Sequence, residues 1–378
     1  MRGTSVPFVM AVLCLCTPTV GLAQSPDVGA IRKQAQGGQY ETAWTSLQRA
    51  PETAELLRTA IEISLPAGRV DRALASYERL LSLTGQPDPA ALADISRAVL
   101  QRDRRDQMPL ARVESCRALF RMGDAECKAD LELAANDARM APRVRLTAAA
   151  ALAEKDRAGV LLLQRVGDSI TGYNKPLVAE AASRLPASAA VPLLTRLLAS
   201  PVPDAQVVAA TLLGDFDTPA ARSALKAVVA TEGSAARPAA RIALAKLGDP
   251  EQLRLMGGVV ERLEGADRYR VGSALAAAGD PRGLQLLERA LSDDDPIVRI
   301  DAAAAIAPRL PAKAYPVIEE ALRTGDLNAR AHALEVVASL GWAPSTEMWK
   351  LLKDANAVVR VRAAEICARA GRRPAPKA

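Results

Sequence analysis

Histidine occurs once in the 378 residues, as His332, and Phe, Tyr and Trp together make up only 3%. A zinc site or a histidine-assisted nucleophile needs several ligands or partners, so a lone histidine counts against both. Scarce aromatics exclude a core built on large rings. Hydrophobic residues still reach 49%, carried mainly by Ala and Leu, which suits closely packed helices. Beyond the first twenty-odd residues no apolar run is long enough to span a bilayer. No phosphate-cradling loop follows a strand, because no strand pattern occurs. Gly257-Gly258 falls within a helical stretch, as a kink or a close helix contact would. Charged residues make up 24% with the signs mixed, and the net charge is +6. That composition is neither disordered nor basic in the clustered manner of a nucleic-acid footprint.

The N-terminus, MRGTSVPFVMAVLCLCTPTVGLAQSPD, has one leading cation, an apolar stretch from Val6 to Cys16, and small residues at Gly21 and Ala23. This reads as a secretory signal over residues 1–23, cut after Ala23, which makes the product periplasmic or secreted. Cys14 and Cys16 each follow Leu, where lipid attachment wants a small residue. An uncleaved anchor is the alternative, and Pro7, Pro18 and the short apolar core count against it. Export leaves Cys116, Cys127 and Cys367. The first two flank Gly123-Asp124 and face a disulfide-permissive compartment, but they are staggered by about a helical turn, so paired and free states both stay open. Cys367 reads as a buried apolar residue.

The stretch DDDPIVRIDAAAAIA (293–307) belongs to a period. Arg237, Arg268, Arg299, Arg330 and Arg360 follow one another at 31, 31, 31 and 30 residues, and Ala302, Ala333 and Ala363 stand three after the last three. Asp295, Asp326 and Asn356 each precede an Arg by four. Arg112 and Arg145 extend the series toward the N-terminus. Segments 174–186 and 203–215 keep the apolar face but have no such Arg, and their register stays open. Gly248-Asp249-Pro250 and Gly279-Asp280-Pro281 read as a left-handed stop, a cap and a first helical turn, so each period holds two helices. One pair cannot bury both apolar faces, but a stack of pairs can. Asp295 is thus expected to cap a helix begun by Pro296, and Arg299 to reach the cap of a neighbouring unit. Arg112, Arg145, Arg237, Arg268, Asp295, Arg299, Asp326, Arg330 and Arg360 form the expected structural ladder.

This Asp-x-x-Val-Arg-x-x-Ala-Ala pattern resembles HEAT-like repeats of the short type also found in phycobilin lyases. Before it, GQYETAWTSLQRAP (38–51) and GRVDRALASYERLL (68–81) resemble half of a tetratricopeptide repeat. The resemblance implies an all-α fold, a right-handed α-solenoid of stacked antiparallel helix pairs. Its parts are the signal 1–23, tetratricopeptide-like repeats 24–86, HEAT-like repeats 87–371 and a disordered tail 372–378. Second helices would line a concave face. Deoxyhypusine hydroxylase, an enzyme of similar repeats, holds iron through His-Glu pairs, but His332 is followed by Ala333.

Positions two, five and nine after the ladder arginines fall on the expected concave face. Arg117, Arg121, Asp301, His332, Glu335, Arg362, Glu365 and Arg369 are the candidate partner-binding residues. Their mixed signs and the lack of interleaved aromatics give neither a phosphate track nor a stacking platform, so nucleic acid is not expected. His332 is expected to be a solvent-exposed residue on the wall, and Trp342 and Trp349 to pack as a terminal cap. The expected function is that of an exported, non-enzymatic scaffold that needs no cofactor or metal and binds a protein on its concave face. The alternative is an enzyme or ligand-binding protein with a site assembled from dispersed residues, which a deep pocket of converging ionisable groups would favour.

Overall fold

A computed structural model describes residues 27–370 apart from 259, 344, 346 and 347, so the signal segment and the tail lie outside the described residues. Among the described residues every regular element is helical. Four helices come first: α1 (Val28–Gln36), α2 (Tyr40–Gln48), α3 (Ala54–Ser64) and α4 (Val70–Thr84). Pairs follow: α5 (Pro89–Asp103) with α6 (Pro109–Arg121), α7 (Cys127–Asn136) with α8 (Pro142–Ala153), and α9 (Arg157–Ser169) with α10 (Pro176–Ala182). Next are α11 (Ala187–Leu197) with α12 (Pro203–Leu213), α13 (Pro219–Ala230) with α14 (Arg237–Lys246), and α15 (Pro250–Gly257) with α16 (Gly265–Ala277). Last are α17 (Pro281–Ala290) with α18 (Pro296–Ile306), α19 (Pro311–Thr324) with α20 (Leu327–Leu340), and a 3-10 stretch, Met348–Lys353, with α21 (Ala357–Ala370).

The punctuation explains the boundaries. Asp249, Asp280, Asp295 and Asp326 each accept a backbone N–H of the first helical turn, and Pro250, Pro281 and Pro296 take the first helical positions. Losing such a cap costs about 1 kcal/mol. Gly248, Gly279 and Gly341 adopt the left-handed conformation that the stops require. Alanine-rich second helices are buried almost all round: Ala148 to Ala151 are at most 2% exposed. Where the sequence pairs Gly257 with Gly258, Gly257 ends α15 and its carbonyl accepts Arg282 Nη1 at 3.0 Å, a close contact with α17.

The solenoid does not end freely. Second helices pack in succession from α6 to α21, and α21 then packs on α5 and α6. The stack is therefore a closed ring with the second helices inside. Trp349 is buried edge-on against Tyr77 of α4, at 6.1 Å between centroids, and Lys353 reaches Glu78 at 2.8 Å. Trp342 packs on Tyr315 at 5.5 Å. The last unit thus serves as a packed closure rather than an exposed tip.

Three expectations about the ladder need correction. Asp295 caps its own helix at Ile297 N–H, as expected, and Asp326 does so at Ala329 N–H, but neither takes an Arg. Arg299 donates to the carbonyls of Asp293 and Asp294 in its own loop, because the loop lies nearer than the neighbouring cap. Contact between units is made instead by the acid two residues before the cap. Arg268 faces Asp293 at 3.7 Å and Arg330 faces Asp354 at 3.1 Å. Arg237 opens α14 rather than standing in its second turn, so its 31-residue spacing hides a change of register. Arg145 holds the Ala135 carbonyl, while Arg112 and Arg237 show neither a loop carbonyl nor a carboxylate partner among the described residues.

Candidate functional site: an ionic hub beneath a basic cleft

Counted from each N-cap, the sixth, ninth and thirteenth residues of the inner helices face the ring centre. Asp301, His332, Arg362 and Glu114 hold the sixth position, and Glu335, Glu365, Arg117 and Arg184 the ninth. Arg121, Glu154 and Arg369 hold the thirteenth. Ring closure brings α18, α20, α21, α6 and α8 side by side, and these side chains join into one chain of alternating charge.

His332 Nε2 lies 2.7 Å from Asp301 Oδ1, and its Nδ1 lies 3.8 Å from Glu335. Glu335 meets Arg362 at 3.0 Å, and Arg362 grips both oxygens of Glu114 at 2.9 and 3.1 Å. Arg117 lies between Glu114 and Glu365, at 3.5 and 3.2 Å. Arg121 donates to Glu365 at 2.6 Å and grips Glu154 with two nitrogens. Of the expected partner-binding residues, Arg117 and Glu365 are therefore buried and Arg362 mostly so, and all three are taken up by ion pairs within the protein. His332, expected on an exposed wall, is half-buried and bridges α18 and α20, because the ring turns that wall inward.

The electrostatics follow from the pairing. Burial would raise the Glu114 carboxyl, but Arg117 and Arg362 hold it below the usual range. Arg117 and Arg121 do the same for Glu365 against the same burial cost. Glu335 also outweighs burial through His332, Arg362 and Arg184, and falls to about 2. His332, hydrogen-bonded to Asp301 and Glu335, is pushed up to about 9 and is protonated at neutral pH.

Arg184 differs from the rest. It reaches the hub from the turn after α10, which packs beside α8, and faces Glu335 of α20 at 3.6 Å. It makes no hydrogen bond among the described residues. Burial and the neighbouring guanidinium of Arg117 push its pKa down. Arg184, Arg369 and the already paired Arg121 line a cleft of about 680 Å³ with Glu154, Met122, Leu185 and Pro186. Arg369, half-exposed, lies 3.9 Å from Glu365. Of the sequence candidates, Arg121 and Arg369 reach this cleft. Arg184 and Glu154 were missed. Arg184 sits in a unit without a ladder Arg, and counting from the cap would have placed it at the ninth position.

Cys116 and Cys127 are both buried as free thiols, and Cys116 Sγ donates to Asp130 Oδ2 at 3.6 Å. The interaction between the two thiols raises that of Cys116 and lowers that of Cys127. Among the described residues no group of three or more His, Cys, Asp and Glu could hold a metal ion, and no helix is long and apolar enough to cross a membrane.

No protein family matches the sequence, and no curated protein does. Among solved structures, human deoxyhypusine hydroxylase in complex with glycerol is similar over 67% of this chain and 98% of that one, at 17% identity and a TM-score of 0.35. An engineered protein is similar over 90% of this chain and 91% of that one, at 18% identity and a TM-score of 0.24.

Proposed function

We propose that the chain is an exported, non-enzymatic adaptor of the periplasm or cell envelope that binds an acidic segment of a protein partner at the cleft over its ionic hub. One observation carries this reading: Arg184 and Arg369 border an open cleft, and neither donates a hydrogen bond to another described residue. A guanidinium carries five donors; Arg184 is a third exposed and Arg369 half-exposed, so in the free protein these donors face water and are open to an incoming acceptor. The rest of the hub is engaged in its own ion pairs, although Arg117 Nε is buried without an acceptor, and forms the floor of the cleft. Export rests on the N-terminal signal, and the helical-repeat frame suits a scaffold. The second reading, a site for a small ligand, is favoured by the size of the cleft and its converging ionisable groups.

The mature chain is the bait. Envelope extract is passed over wild type and over a variant carrying Arg184→Gln and Arg369→Glu. The expected result is a protein retained by wild type, released by salt and lost with the variant. Retention indifferent to both substitutions, or recovery of a small molecule alone, would sink the adaptor reading. N-terminal sequencing of exported protein should begin at Gln24.

A further inference from the structure

We infer that the group recognised at this cleft is a single carboxylate beside an apolar side chain, seated on the guanidinium of Arg184. This rests on the reading of the cleft as the binding site. It goes further by fixing the charge and shape of what binds.

Charge sets the first limit. Around the hub stand five carboxylates, Asp301, Glu335, Glu114, Glu365 and Glu154. Against them stand six cations, His332, Arg362, Arg117, Arg121, Arg184 and Arg369. The excess is one positive charge, so one negative charge closes the account. A dianion such as phosphate would overshoot, and it would do so among the C-terminal ends of α6, α8, α10 and α21. These ends carry partial negative charge of their own.

That same partial charge offers a plain reason for arginines here, as caps for the last carbonyls. Arg184 does not do this. It donates to no carbonyl, while Lys175 in the same unit holds those of Gly167 and Ile170. Its nearest counter-charge, Glu335, is shared with Arg362 and His332 and stands beyond hydrogen-bond distance. The fork of Arg184 is thus free to take both oxygens of a carboxylate, the geometry in which a guanidinium binds best.

Shape sets the second limit. Met122, Leu185 and Pro186 give the cleft an apolar wall next to the arginines. A chain end with an apolar last residue presents that pairing, and so does an acidic side chain with an apolar neighbour. The shared chemistry is the carboxylate, and the probes separate the two sources.

Four fluorescent hexapeptides of Gly and Ser serve as probes: one ending in Leu with a free carboxylate, its amide, an amidated Leu-Glu version, and an amidated Leu-phosphoserine version. Binding to the full mature chain is read by anisotropy. The free-acid or Leu-Glu peptide should bind at least tenfold more tightly than the neutral amide and the phosphopeptide. Arg184→Gln should lose that preference, and Arg184→Lys, which keeps the charge without the fork, should lose most of it. Arg369→Gln, at a half-exposed site, gives a second variant whose folding is not in question, and it should weaken binding severalfold. Equal binding of acid and amide, tighter binding of phosphate, or indifference to Arg184→Gln overturns the inference. If none of these peptides binds while captured protein still depends on Arg184 and Arg369, the carboxylate assignment fails and the adaptor reading stands. Capture indifferent to both arginines removes the reading as well.

Discussion

Arg360 Nη2 lies 3.2 Å from Asp106 Oδ2, joining the last helix of the ring to the loop before its first inner helix, 254 residues away in sequence. The pair repeats a contact found inside the array. Arg330 meets Asp354, and Arg268 faces Asp293, each acid standing two residues before an N-cap. Asp106 stands two before Met108, the N-cap of α6. The seam is thus closed by the contact that joins neighbouring units, so to the last unit the first looks like the next.

Arg360→Ala should therefore open the seam more readily than it unfolds the array. It leaves Asp103, 2% exposed, with only Arg102. Removing one partner of a buried pair costs about 3–5 kcal/mol. The expected outcome is an early transition in urea unfolding and a larger radius of gyration in X-ray scattering at concentrations below that transition. Arg299→Ala, whose hydrogen bonds go to its own loop, should show neither.

Within the hub, Glu114 and Arg362 form the most buried two-pronged pair, at 2% and 12% side-chain exposure. Glu114→Gln and Arg362→Met should each destabilise by about 1–3 kcal/mol, since each leaves a buried charge short of its two-pronged partner, with only Glu335 remaining for Arg362 or Arg117 for Glu114. The double variant should cost less than the sum, leaving a coupling of about 1–3 kcal/mol in a double-mutant cycle. Additive losses would mean that the pair is independent.

Much of the fold was legible because helix punctuation is local. Asp295, Pro296 and Gly279 announce starts and stops within a few residues. Closure was not legible. Asp103 and Asp106 carry no mark that Arg360 will meet them, and the contact depends on the sum of small rotations along the whole stack. What became of the expected concave positions depended on closure. Arg117 and Arg362 would be free on an open groove and are consumed in a ring. Arg184 escaped notice because α10 spans only seven residues and lacks the ladder Arg that supplied the register.

Packing makes a separate prediction. A methyl group at Gly283 would stand 2.2 Å from the Ala276 backbone nitrogen, because α17 crosses α16 at backbone contact. Gly283→Ala should cost at least the roughly 1–3 kcal/mol of an overpacked core. Gly279→Ala has open space but a φ of +84°, and should cost about 1–2 kcal/mol from backbone strain alone. Thermal melts of the two variants should preserve that order, and the reverse order would mean that α17 yields easily.

The hub should also give the protein a stability plateau in mildly acidic solution. His332 rises from 6.5 to about 9 on folding, so its stabilisation is complete below about pH 6.5 and is lost as pH climbs through 9. Glu335 falls from 4.5 to about 2, so its contribution is complete above pH 4.5 and is lost as pH drops through 2. Between these limits both are charged in either state, and stability should be flat with respect to them. The groups facing His332 are Asp301 from α18 and Glu335 one turn along α20, with Tyr269 beside Asp301. His332→Gln should remove the alkaline decline, worth about 2–3 kcal/mol between pH 6.5 and 9, and should also shrink the acid limb, because His332 is the first of the groups that hold Glu335 low. Urea midpoints measured from pH 3 to 10 for both proteins provide the check. An alkaline decline that survives the substitution would place its origin outside the hub.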